Sequence, residues 1–153
     1  MATLERTSTK IDVGAELQGT LAELIDLSLQ GKQAHWNLTG TTFLALHRHL
    51  DDMIEEHRGW SDVVAERAVT IGAWPDGRAA TVAARSALED LPTGPIADRD
   101  VVRLLGERID QVVDRIRWRV DAVGSADPGS ENLLIEILSG LQKQRWMLRA
   151  AAS

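Results

Sequence analysis

Four long stretches of this chain place their apolar residues mostly three or four apart, the spacing that gives an α-helix one oily face. The first runs from about Ile11 to Leu38 on Ile11, Leu17, Leu21, Leu24, Ile25 and Leu29. Thr39-Gly40 closes it, and Thr41 or Thr42 can cap the second, from about Phe43 to Ile71. The third runs from about Asp98 to Val123, on Val101, Leu104, Leu105, Ile109, Val112, Val113, Ile116 and Val120, with Gly124 as its stop. Asp127-Pro128 opens the fourth, because proline at the first helical position forfeits no hydrogen bond. Between the second and third, Gly72, Pro75, Gly77, Pro92, Gly94 and Pro95 leave room only for a short helix at about Thr81 to Leu88. No alternating run predicts a strand. Two long helices, a long crossover with a short extra helix, then two more long helices make an all-α four-helix bundle. Gly19, Gly31, Gly59, Gly106 and Gly140 fall inside helices, at about 1 kcal/mol each against alanine. They are expected to be points of close packing.

The bulk properties narrow the class. At 153 residues and 44% hydrophobic, residues 1–153 form one domain with a real core. Residues 1–10 are polar, read as a flexible N-terminal arm, and lack the apolar stretch of a secretory signal. No apolar run is long enough to span a membrane. The absence of cysteine excludes disulfides, thiol catalysis and Cys-based zinc sites, and fits a cytoplasmic protein. The net charge of −6 favours cations over phosphate backbones.

All four histidines, His35, His47, His49 and His57, lie within one short region, among Asp51, Asp52, Glu55, Glu56, Asp62 and Glu66. On a generic helix such charges are a solvated face. Their angular positions argue otherwise. With His47 at zero and about 100° per residue, Asp51 falls near about 40°, Asp62 near about 60° and Glu66 near about 100°. His49, at about 200°, and His57, at about 280°, fall off this stripe. Asp51 and Asp62 are separated by roughly 16 Å of helix rise, while metal–ligand bonds are only about 2 Å long. One helix cannot wrap both pairs around one ion. Three arrangements remain: unrelated surface charges, two separate sites, or a second copy of the helix running antiparallel about a two-fold axis.

In the last case residues whose numbers sum to 113 face each other, His47 with Glu66 and Asp51 with Asp62, and the axis passes between Glu56 and His57. The first helix favours it, since an antiparallel hairpin brings His35 to the same end as His47. The expected site is then His35, His47 and Asp51 of one chain with Asp62 and Glu66 of the other, a mixed imidazole–carboxylate set suited to ferrous iron. The same register predicts a Glu55–Arg58 ion pair across the axis, present twice. No histidine follows a glutamate by three residues, which disfavours an intrachain di-iron bundle site.

At this point the residues match a family. His35-Trp36-Asn37-Leu38-Thr39-Gly40, followed by Leu46-His47 and Asp51, resembles the first signature of the Dps-type miniferritins. Asp62-Val63-Val64-Ala65-Glu66-Arg67, then Ile71-Gly72 and Pro75, resembles the second; Ser61 departs from it, where a larger apolar residue is usual. The resemblance implies a ferritin-like bundle assembled as a homo-oligomer, a dodecamer built from two-fold dimers. It also implies an intersubunit centre where Fe(II) is oxidised, preferentially by hydrogen peroxide, with ferric mineral stored inside against oxidative damage. The five ligands carry over to His35, His47, Asp51, Asp62 and Glu66. Trp36 matches a tryptophan beside the centre that donates electrons, although a core aromatic is an equal reading of it. Asp127 and Glu131 match acidic residues lining a three-fold pore for iron; Asp121 is nearby but one place out of register. The alternative is a nucleoid-associated DNA-binding protein with a secondary metal site. DNA binding is not expected, because the arm offers Arg6 and Lys10 against Glu5 and Asp12, and no basic extension follows Arg149.

Overall fold

The computed structural model describes residues 11–151, so the expected arm at 1–10 lies outside the described residues. Its elements in chain order are α1 (Val13–Asn37), β1 (Leu38–Thr39), α2 (Phe43–Thr70), α3 (Ala79–Arg85), β2 (Ile96–Ala97), α4 (Asp98–Val123) and α5 (Pro128–Ala151). The first three long helices stand within two residues of their expected ends, and the fourth opens at Pro128 as expected. The short helix begins two residues earlier than expected, and Leu38 leaves α1 for a bridge that periodicity did not show. That bridge pairs β1 with β2 in parallel, Leu38 with Ile96 and Thr39 with Ala97. Two residues per strand are too few to alternate, so no pattern could announce them.

The parallel bridge fixes the topology. It sits where α1 ends and just before α4 begins, so the crossover returns the chain along the length of α2. α1 packs along α2 and α4 along α5, while α1–α4 and α2–α5 contacts close the bundle. Its core is filled by side chains such as Leu17, Leu24, Leu50, Ile54, Ile109, Ile116, Leu134 and Leu141, each at most 1% exposed. Burying a side chain of this kind stabilises the fold by about 1.5–3 kcal/mol.

The ends are set locally. Asp12 caps α1 by accepting from Ala15 N at 3.1 Å. Gly40, at φ +128, takes a turn open only to glycine, and the Asp98 carboxylate packs against its Cα. From there Asp98 accepts from Thr42 N at 3.0 Å and Thr42 Oγ1 at 2.7 Å, so the first residue of α4 caps α2. These bonds hold the Asp98 carboxyl below the usual carboxylate range, the Thr42 hydroxyl contributing most. Gly124 does stop α4, though with right-handed φ −54.

The expectation of close-packed glycines holds at four positions. Gly19 lies under the Arg119 guanidinium, Gly31 against Ile54, Gly106 under Arg145 and Gly140 against Trp60. It fails at Gly59, where a Cβ would meet nothing within 4 Å.

Candidate metal centre

The α1–α2 hairpin brings the last turn of α1 beside the first turns of α2, and His35, His47 and Asp51 meet there. One ligand atom from each lies within 4.8 Å of the others. The two histidines hold each other reciprocally. His35 Nδ1 is 3.0 Å from the His47 carbonyl, and His47 Nδ1 is 3.1 Å from the His35 carbonyl. A carbonyl only accepts, so each Nδ1 carries the proton and each Nε2 keeps its lone pair for a metal. The rings stack at 3.6 Å, and Phe43 stacks on His47 at 4.9 Å. His35 is buried, His47 half-buried and Asp51 exposed, which grades the cluster from a rigid floor to an open mouth.

Lys32 completes the local charge balance. Its ammonium donates to Asp51 Oδ1, and His35 Nδ1 stands 3.4 Å from the same oxygen. The Lys32 bond, followed by the charges of His35, Lys32 and His47, holds the Asp51 carboxyl below its ordinary value despite some desolvation. A cation bound to this oxygen would compete with the Lys32 ammonium for it. Sequence reasoning missed Lys32, although its place three residues before His35 puts both on one helix face.

Asp62 and Glu66 are exposed on α2, away from this cluster, and neither carboxylate is paired within the chain, among the described residues. Glu55 and Arg58 are likewise exposed and unpaired there. The chain therefore presents three ligands together and two more carboxylates further along the same stripe. Trp36 is 71% exposed, which removes the core-aromatic reading. His57 is buried and bonds Gln144 Oε1 at 2.7 Å, so it belongs to the core and not to the ligands. His49 is half-buried, with its Nε2 enclosed and without a partner.

The three acidic residues expected at a pore stand in different settings. Asp127 is the N-cap of α5: it accepts from Ser130 Oγ and pairs with Arg67 at 2.6 Å. The Ser130 bond and Arg67 hold its carboxyl below the usual range. Glu131 is half-buried with its carboxylate against Gly124, and Asp121 is exposed. Among the described residues, no helix is long and apolar enough to cross a membrane.

Comparison with known proteins places this architecture. Residues 14–153 match the ferritin family, described as a ferritin-like domain. "DNA protection during starvation protein 2" of Deinococcus radiodurans is 42% identical over 134 residues, 88% of this chain and 56% of that protein's length. The crystal structure of Dps92 from Deinococcus radiodurans superposes with a TM-score of 0.88 at 41% identity, covering 90% of this chain and 84% of that one. Dps from Microbacterium arborescens, solved in a high iron form, superposes at 0.86 with 30% identity, covering 94% of this chain and 96% of the other. With its crossover bundle and its His–His–Asp cluster at the hairpin end, the chain belongs to the ferritin-like domain family and, within it, to the Dps proteins.

Proposed function

We propose that this chain oxidises ferrous iron at sites shared between two copies and stores the ferric product in a dodecameric cage. The observation that carries the reading is the reciprocal His35–His47 lock, which leaves an Nε2 lone pair free on each ring of the His35–His47–Asp51 cluster. Three protein donors leave coordination positions open, and Asp62 and Glu66 of the partner subunit supply the carboxylates that ferric iron prefers. Two Fe(II) ions give one electron each to hydrogen peroxide; its O–O bond breaks, two protons are taken up from solvent and both oxygens leave as water. The Nδ1–H groups of His35 and His47 stay hydrogen-bonded to the facing carbonyls, so the ligands keep their orientation. Trp36, exposed and next to His35 in the chain, gives an electron to a stray oxidant in this reading.

Iron reaches the interior past acidic side chains. Asp127 has already committed its charge to Arg67, so Glu131 and Asp121 carry more of that role. The net charge of −6 supports cation attraction. The DNA-binding alternative gains nothing from Arg145 or Arg67, which pair with Asp110 and Asp127.

Complementation tests the shared site. Asp51→Ala and Asp62→Ala chains are each expected to oxidise Fe(II) with peroxide near the buffer rate in stopped flow. Unfolded and refolded together, they form mixed pairs in which one site has every ligand and the other lacks two. Activity then returns to a substantial fraction of wild type. A mixture no faster than its parents refutes the shared site.

A further inference from the structure

The ligand stripe of α2 continues past its metal-binding residues. Leu44 and Val69 stand on it, at about 60° and about 40° on the scale that puts His47 at zero. Leu44 is 58% exposed and Val69 47%, so the single chain holds two large apolar side chains in water at the ends of a charged face. Their numbers sum to 113, the total that pairs His47 with Glu66 and Asp51 with Asp62. In the antiparallel pairing of two α2 helices, Leu44 therefore comes level with Val69 of the partner subunit. That contact lies about one helical turn outside His47, at each outer end of the pair. Phe43 and Trp36, both exposed, flank the same end.

Gly59 gives a second, independent sign of what covers this face. It lies near the middle of α2, three residues from the axis between Glu56 and His57. The other interior helix glycines of the bundle are each covered by a side chain of their own chain, and Gly59 by none. A glycine inside a helix weakens it unless something needs the space. In that pairing the helix is bare near the axis, carries the candidate ligands further out, and is apolar where the contact ends.

We infer that Leu44 and the partner's Val69 form an apolar seal over the outer end of each shared metal site. The inference rests on the shared-site reading and adds to it a direction. Water and chelators are kept from the outer end, and ions exchange from the other side. A drier site also strengthens every charge–charge contact within it.

Two measurements on the full-length protein test the seal. Leu44→Lys and Val69→Glu each place a lone charge in the contact, so each is expected to shift the protein toward smaller species in analytical ultracentrifugation. Combined in one chain, the two charges meet across the pair and assembly recovers. A double variant no better than its worse parent overturns the pairing of these residues. The milder Leu44→Ser and Val69→Ser variants are expected to assemble and to bind Co(II) with unchanged stoichiometry, yet to lose it to excess EDTA several-fold faster. An unchanged release rate overturns the seal. If complementation between Asp51→Ala and Asp62→Ala succeeds while these variants behave as wild type, only the seal falls. If complementation fails, the shared site falls with it.

Discussion

Below about pH 6.5 the imidazole of His57 works against the folded state. It is 3% exposed, on the core side of α2, with Trp60 at 5.8 Å between ring centroids. Gln144 donates its amide N–H to Glu56, so its oxygen faces His57 and the His57 proton sits on Nε2. That leaves Nδ1 buried without a partner. Protonation would put a positive charge in the core and an N–H at Nδ1 with no acceptor. Burial is the largest cause, and it pushes the pKa down to about 4, against the opposing effects of Gln144 and Glu56. The unfolded chain, at about 6.5, binds the proton that the folded chain refuses, so stability falls as pH drops between those values. The whole interval amounts to about 3 kcal/mol, and the part between pH 7 and pH 4.5 to about 2 kcal/mol. His57→Gln keeps a donor toward Gln144 and cannot titrate. Urea unfolding at pH 7 and pH 4.5, at fixed protein concentration, measures both proteins. The variant is expected to be the less stable at pH 7 and to lose about 2 kcal/mol less than wild type on acidification. Parallel losses in the two proteins would refute the argument, because His57 would then be charged or solvated in the fold.

Other changes probe the centre and the hairpin that builds it. Lys32→Met removes the ammonium that competes for Asp51, and Co(II) titration followed by absorbance is expected to show several-fold tighter binding; equal affinity would mean that Lys32 swings away freely. Gly31→Ala drives a Cβ to 2.7 Å from Ile54 Cγ1, and overpacking of this kind costs about 1–3 kcal/mol in unfolding experiments. Gly59→Ala meets nothing in its own chain, so it is expected to spare the stability of the separated chain and weaken assembly; ultracentrifugation showing unweakened assembly would contradict the close approach. Asp98→Ala removes the acceptor for Thr42 N and Thr42 Oγ1, and hydrogen exchange at the start of α2 is expected to quicken while α5 exchanges as before.

Much of the fold was legible because a helix writes its buried face into spacing. The stripe of α4, from Val101 to Ile116, is buried almost as periodicity placed it. The candidate cluster was legible for a related reason, since His47 and Asp51 stand one turn apart on α2 and an antiparallel hairpin brings His35 to the same end. What spacing could not show involved partners distant in sequence. The β1–β2 bridge joins Leu38 to Ile96, and the cap of α2 comes from Asp98, far beyond its own loop. Asp127 looked like one of a set of acidic residues, and only its contact with Arg67 on α2 revealed a charge already spent.

By itself, then, the sequence determined the four helices and the stripe on α2, because each follows from the fixed rise and turn of one helix. Tertiary structure decided the chemical state of the groups involved. It set the protons of His35 and His47 by facing each Nδ1 with a carbonyl, kept His57 neutral by enclosing it, and put Lys32 on Asp51. Periodicity records which way a side chain points; its protonation depends on which atoms the packed chain brings within about 3 Å of it.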